Sequence, residues 1–304
     1  MARPPRQVHI PARDGVSASC VALPHGPWAT LLAFLAWRLP AVTPAQWALR
    51  LAQERVLDEQ GRPLPPDAPF RPGTRVYYYR ELDVEPVIPF EETVLYQDGH
   101  LLVADKPHFL PVTPGGRYVQ QTLLVRLKRR TGIETLSPIH RIDRETAGLV
   151  VFSVRPQDRG AYQALFREQA VDKHYEAIAP LRPDLPLPAV YRSRIEADTQ
   201  FFRQREVAGE PNSETRLARL EVRGALARYR LSPVTGRTHQ LRVHLNALGR
   251  PIVGDLFYPE VVHGPGTAHE DWGRPLQLLA RSIAFTDPVT GAERRFESQR
   301  QLAW

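Results

Sequence analysis

The chain has 304 residues, 42% of them hydrophobic, and its 40 Lys and Arg against 33 Asp and Glu leave a formal net charge of +7. That length holds one large domain, or one large and one small, and the basic balance is compatible with a polyanionic partner without naming one. A single cysteine, Cys20, excludes an intrachain disulfide and a cysteine-rich zinc site; no apolar run reaches the roughly 18–20 residues that span a bilayer, and none directly follows the basic N-terminal residues, so the expectation is a cytoplasmic protein without membrane span or signal peptide.

In chain order, apolar residues recur at three- and four-residue spacing from Trp28 to Arg50, which predicts a helix. A turn around Gly61 and a proline-rich connector lead to a short strand over Gly73–Arg80, and Glu85-Pro-Val-Ile-Pro89 reads as a linker. The division expected is a small domain over 1–88 and a larger one over 89–304. The second opens with two strand-like runs between Thr93 and Asp105 flanking Asp98-Gly99, a hairpin signal because both positions tolerate positive φ. A helix is predicted over Thr122–Arg130 with Gly132 as its left-handed cap, then a buried strand over Leu149–Phe152. A helix follows over Asp158–Gln169, and a strand over Lys173–Ala179. Thr215–Val222 and Ala225–Leu231 form a hairpin through Arg223-Gly224, and Arg237–Leu248 a helix capped by Gly249. Strands in sequential pairs with few helices between them indicate an α+β fold on a mainly antiparallel sheet rather than a doubly wound parallel one.

Three segments carry candidate chemistry. In the first, Asp143 sits between Arg141 and Arg144 in a loop just before a buried strand; flanking cations favour the ionised carboxylate, ready as nucleophile or base. In the second, Lys173 and Tyr175 share one strand face, where Tyr175 can stack on a base. In the third, Thr235-Gly-Arg237 turns into a helix whose free amides, beside Arg237 and Thr238, suit a phosphate. Arg242, next to the Leu241–Leu245–Leu248 stripe, is expected to be partly buried and to need a carboxylate, for which Asp143 is the candidate. A basic run including Arg126, Lys128, Arg129 and Arg130 reads by itself as a solvated helix face.

Together these segments resemble the RluA-type pseudouridine synthases. His140-Arg-Ile-Asp-Arg-Glu-Thr-Ala-Gly-Leu149 is similar to that family's His-Arg-Leu-Asp-x-x-Thr-Ser-Gly-Leu, Lys173-His-Tyr-Glu-Ala177 to its tyrosine motif, and Thr235-Gly-Arg-Thr-His-Gln-Leu-Arg-Val-His-Leu245 to its third, in family order across roughly residues 90–300. Ile142 and Ala147 depart mildly from the pattern, and Leu279 stands where a histidine is common. The resemblance implies the pseudouridine synthase fold and an isomerase that re-attaches uracil through C5 in rRNA, tRNA or both. It implies Asp143 as the catalytic carboxylate, Arg242 as its ion-pair partner, Tyr175 as the active-site tyrosine and Arg141 as the residue that helps displace the base. Arg129, Arg144, Lys173, Arg237, Thr238, His239 and Gln240 are then expected on RNA. No cofactor, metal or obligate protein partner is implied, and a monomer is expected. The N-terminal segment faintly resembles a ribosomal-protein-type RNA-binding module. Specificity is expected from that segment, from Arg192–Asn212 and from Tyr258–Asp271. Two other readings stay open: a silent RNA-binding protein of the same fold, and a carboxylate hydrolase using Glu145 as second acid.

Overall fold

Two stretches of chain each bury their own apolar residues, Met1–Glu85 and Pro86–Trp304. The computed structural model describes residues 10–82, 84–200, 202–262 and 271–304. The boundary falls a few residues before the expected 88, because Ile88 and Phe90 pack into a core of the second unit.

In the first unit the stretch predicted as one helix is two, α1 (Leu31–Arg38) and α2 (Pro44–Ala52). Pro40 lacks the amide that would continue α1, and Thr43 starts α2 afresh with a capping box to Gln46 behind Pro44. The helices accompany a three-stranded antiparallel sheet of β1 (Ser19–Ala22), β3 (Arg75–Tyr78) and β2 (Val56–Leu57), in that order. Phe34, Leu35, Trp47, Leu51 and Val56 form its core.

The second unit is built on one large sheet. Its path runs β10 (Gln204–Val207), β9 (Val190–Ala197), β11 (Ser213–Arg223), β12 (Leu226–Pro233), β8 (Asp172–Pro180), β13 (Leu278–Thr286), β7 (Ala147–Ser153), β5 (Leu101–Lys106) and β4 (Thr93–Gln97), with β14 (Glu293–Glu297) on β13 and β6 (Ser137–Pro138) on β7. Pairing is antiparallel except between β13 and β7. There Gly148 adopts φ 108°, and a Cβ on it would lie 2.3 Å from the Ala280 carbonyl oxygen, so only glycine lets the two strands meet. Helix α3 (Leu123–Thr131) ends on Gly132 at φ 71° as expected, and α4 (Arg159–Arg167) follows a short 3₁₀ turn over Pro156–Asp158. The β4–β5 turn differs from its predicted form. Neither Asp98 nor Gly99 has positive φ; Asp98 instead accepts the amides of His100 and Leu101 on its side chain, and a bulge between Val94 and Tyr96 absorbs the extra residue. Helix α5 (Gln240–Ala247) begins three residues later than predicted, behind His239 in the left-handed region. Of the Tyr258–Asp271 stretch expected to carry specificity, residues 263–270 lie outside the described residues, as does residue 201 within Arg192–Asn212.

Candidate active site

The residues 139–146 enter β7, whose side chains are all buried, so the loop that carries Asp143 is held at the edge of a rigid strand. His140 fastens it there. Its Nε2 accepts the Val151 amide at 3.2 Å, and its ring stacks on Phe166 at 4.7 Å. Burial, helped by the Lys173 charge, pulls His140 down to about 3, so the imidazole stays neutral and keeps the lone pair that this bond requires. Lys106, at the end of β5, pins the same loop from beneath. Its ammonium is fully buried and donates to the carbonyls of Pro107 at 3.0 Å and Arg144 at 2.9 Å.

Above this floor lies a cleft of about 710 Å³, within the range of small-ligand sites. Asp143, Tyr175, Arg242, Arg141, Arg144, Lys173, Arg237, Thr238, His239 and Gln240 all line it. Arg129 is not among the lining residues; it is exposed on α3. Its neighbours Arg126 and Lys128 are engaged in the fold, Arg126 by donating to the Phe90 and Ile88 carbonyls and Lys128 by burial. Gln240 is 4% exposed, and its amide is spent within the protein. Its oxygen accepts from Thr235 Oγ1 and the Arg237 amide, and its nitrogen donates to the Glu214 carbonyl and Thr215 Oγ1. The Arg237 amide that was expected to meet a phosphate is therefore occupied. Arg141, Arg237 and Thr238 remain exposed at the rim.

At the centre, Arg242 is buried with two carboxylates. Its Nη1 donates to Asp143 Oδ2 at 3.3 Å, while Nε and Nη2 clasp Asp255 at 2.8 and 2.6 Å. The expected pair is present, but the tighter partner is Asp255, which is fully buried and also accepts the Phe257 amide at 2.9 Å. The guanidinium lies 4.9 Å from the Phe257 ring centroid and 5.5 Å from that of Tyr258. Burial alone would raise the Asp143 carboxyl. In the acid range, where His239 is protonated too, the charges of His239, Arg242 and Lys106, with the Arg242 hydrogen bond, overcome it and hold Asp143 below the usual 3.8; burial lowers His239 itself, so near neutrality its ring is uncharged. Both close contacts of Asp143, Arg242 at 3.3 Å and His239 Nε2 at 3.9 Å, fall on Oδ2. The side chain keeps 27% of its exposure, so Oδ1 is the oxygen offered to the cleft. Tyr175 on β8 is pushed well above the usual tyrosine value by burial and then by the Asp143 charge, so its hydroxyl stays protonated.

Lys106, Asp255 and Tyr258 were not picked out from the sequence. Tyr258 and Asp255 lie just behind the third motif in a Gly-Asp-Leu-Phe-Tyr run, and Lys106 is a lone cation closing an apolar strand; each signal was visible but ambiguous. Glu145 pairs with Arg144 at 2.9 Å and does not line the cleft, and among the described residues no carboxylate besides Asp143 lines it. Leu279 fills an apolar cluster with Ala147, Ile178 and Leu302. Among the described residues no group of three or more His, Cys, Asp or Glu could hold a metal ion, and no helix is long and apolar enough to cross a membrane.

Residues 100–247 match the family described as RNA pseudouridylate synthase. The dual-specificity RNA pseudouridine synthase RluA of Haemophilus influenzae is 32% identical over 232 residues, covering 70% of this chain and 95% of that protein. The ribosomal large subunit pseudouridine synthase C of Vibrio cholerae is 32% identical over 216 residues, covering 71% and 67%. Human RNA pseudouridylate synthase domain containing 1 superimposes with a TM-score of 0.54 at 24% identity, covering 71% of this chain and 86% of that one, a likeness of fold. The family match and these relatives make the protein an isomerase rather than a silent binder of the same fold. The chain belongs to the RluA-type RNA pseudouridine synthases.

Proposed function

We propose that this cleft isomerises uridines of rRNA, tRNA or both, with Asp143 as the reacting carboxylate. The observation that carries the assignment is the state of that side chain. It is ionised by its neighbours, anchored through Oδ2 and open to the cleft through Oδ1. The rRNA and tRNA reading is supported by relatives named as dual-specificity and ribosomal large subunit enzymes.

Reaching C1′ requires the base to leave its stack, so the uridine is flipped into the cleft. Oδ1 then attacks C1′ as its bond to uracil N1 breaks, or takes the 2′ proton as uracil leaves. C5 of the rotated uracil next bonds to C1′, which frees the carboxylate or returns the 2′ proton, and the C5 proton is lost as N1 gains one. Arg242 holds Oδ2 and keeps the carboxylate charged. Tyr175 offers its ring to the uracil, and its protonated hydroxyl acts as a donor rather than a base. Arg141, Arg237 and Thr238 at the rim meet phosphates, with Lys173 and Arg144 deeper in the cleft. The reaction exchanges one glycosidic bond for another within a single nucleotide, so neither redox nor group-transfer cofactor is required. Met1–Glu85 is read as an accessory RNA-binding module, in which Trp37 is 61% exposed and packs on Trp28, a face on which a base can stack. The same reading makes the protein a cytoplasmic monomer; its single cysteine allows no intrachain disulfide of the kind that marks an oxidising compartment.

Chemical mapping of pseudouridine in unmodified total tRNA and rRNA, after incubation with the protein or with Asp143→Ala, tests this. New sites with the unaltered protein alone identify the substrate and assign Asp143. Equal sites with both remove Asp143 from the chemistry.

A further inference from the structure

His239 occupies φ 55°, ψ 15° immediately before α5, a conformation few side chains other than glycine adopt and one that persists only where its surroundings impose it. What it achieves is an aim. The ring is 10% exposed, with Nε2 3.9 Å from Asp143 Oδ2 and Nδ1 3.1 Å from the Tyr258 hydroxyl. Tyr258 is itself buried, and its hydroxyl is bracketed by the backbone of Gln204, whose amide donates to it at 2.8 Å and whose carbonyl lies at 3.0 Å. Gln204 opens β10, the terminal strand of the sheet.

A neutral imidazole carries one N–H. With an ionised carboxylate facing Nε2, the proton belongs on Nε2. Nδ1 is then an acceptor, and the Tyr258 hydroxyl is its donor. The Gln204 amide donates in turn to Tyr258. The donors therefore point one way, from Gln204 to Tyr258 to His239 to Asp143, and each polarises the next. The hydroxyl has a second acceptor, the Gln204 carbonyl. Turned that way it presents lone pairs to Nδ1, moves the imidazole proton to Nδ1 and leaves a bare Nε2 against Asp143.

We propose that His239 is a positioning residue that closes onto Asp143 Oδ2 when RNA fills the cleft, with its tautomer set by Tyr258 and the Gln204 backbone. At 3.9 Å the final link is open, as such links often are before substrate binds; about 1 Å of closure makes it a hydrogen bond. Arg242 and His239 then hold the same oxygen from two directions and fix where Oδ1 points. The assignment moves His239 from the RNA contacts to the support of the carboxylate, and it rests on the reading of Asp143 as the reacting group.

The test combines histidine ¹⁵N NMR of the whole protein with pseudouridine formation and filter binding on unmodified total tRNA and rRNA at saturating enzyme. His239, assigned by its loss in His239→Gln, is expected as the Nε2–H tautomer, and Tyr258→Phe is expected to shift its Nδ1 resonance. His239→Leu is expected to slow product formation about 10²-fold, the cost of a misplaced reacting group, with RNA affinity within about threefold. His239→Gln, which keeps an amide donor near the place of Nε2, is expected to recover at least tenfold of that loss. Should His239→Leu fail to fold by its melting curve, Tyr258→Phe carries the kinetic test, with a rate roughly tenfold lower at unchanged affinity. An Nδ1–H tautomer, an unchanged rate in the folded variants, or a loss confined to affinity overturns the proposal. An active Asp143→Ala would sink the reading of Asp143 instead, and the tautomer measurement tells the two failures apart.

Discussion

Replacing Asp255 by Asn tests whether the buried ion pair holds the catalytic unit together. Arg242 is 1% exposed and Asp255 not at all, and two bonds of 2.8 and 2.6 Å join them. Asp255 Oδ1 also accepts the Phe257 amide at 2.9 Å. An asparagine with its oxygen in the place of Oδ1 keeps Nη2 and the Phe257 amide, but its NH₂ then takes the place of Oδ2 and faces the Nε–H donor of Arg242. Removing one side of a buried pair costs about 3–5 kcal/mol. Asp143, 3.3 Å from Nη1, takes up part of the stranded charge, so the low end, about 3 kcal/mol, is expected. For a unit of roughly 200 residues this lowers Tm by about 6–12 °C. Thermal melts followed by circular dichroism, with urea unfolding to confirm an unchanged m-value, provide the measurement. A fall of less than about 2 °C would refute the claim that Asp255, rather than Asp143, is what balances Arg242.

Burial draws Lys106 from the usual 10.5 to about 7, so between those values the unfolded chain binds a proton that the folded one lacks. Stability therefore rises with pH across that window; Lys106→Met should flatten the rise in urea titrations from pH 7 to 10, and equal slopes would contradict it. Asp143, held below its usual 3.8, acts with the same sign at the acid end, its stabilisation present above that value and lost as pH falls through the folded one; in Asp143→Asn this part of the acid limb should disappear. Gly148→Ala sets a methyl 2.3 Å from the Ala280 carbonyl oxygen at φ 108°, and a loss above about 3 kcal/mol, or no soluble protein, is expected; near-native urea unfolding would show that the β7–β13 pairing yields. Arg237→Ala, at the exposed rim, should leave the melt unchanged and reduce the slope of log affinity against log salt by about 0.7–0.9, one phosphate contact; an unchanged slope removes Arg237 from the RNA path.

Strands β4, β5, β7, β8, β11 and β12 were legible because each alternates or runs apolar between turn residues, with Gly224 turning β11 into β12 and Gly132 capping α3 at the positive φ that only glycine takes cheaply, whereas β6, β9, β10, β13 and β14 were not read from the sequence. The single helix expected over Trp28–Arg50 broke in two because apolar spacing continues across Pro40 while the backbone hydrogen bonds cannot. Asp143, Tyr175 and Arg242 were legible as motifs and reach one cleft from a loop, a strand and a helix. Their partners were not. Whether Arg242 faces one carboxylate or two depends on where the chain after Ile252 folds back, and no local pattern reports that. Gln240 shows the same limit. A polar residue opening a helix reads as a ligand-binding group, yet its amide is consumed by Glu214, Thr215 and Thr235, neighbours that only the tertiary fold supplies.

The place of β13 in the sheet imposes an order of events during synthesis. Its residues, Leu278–Thr286, lie between β7, which follows Asp143, and β8, which carries Tyr175. A nascent chain stopped short of residue 278 already contains the carboxylate, the tyrosine and Arg242, but not the strand that sets their two half-sheets side by side. The ribosome that makes the protein therefore does not meet it as an active enzyme until that late strand has emerged and been inserted, and such long-range pairing is the slow part of folding.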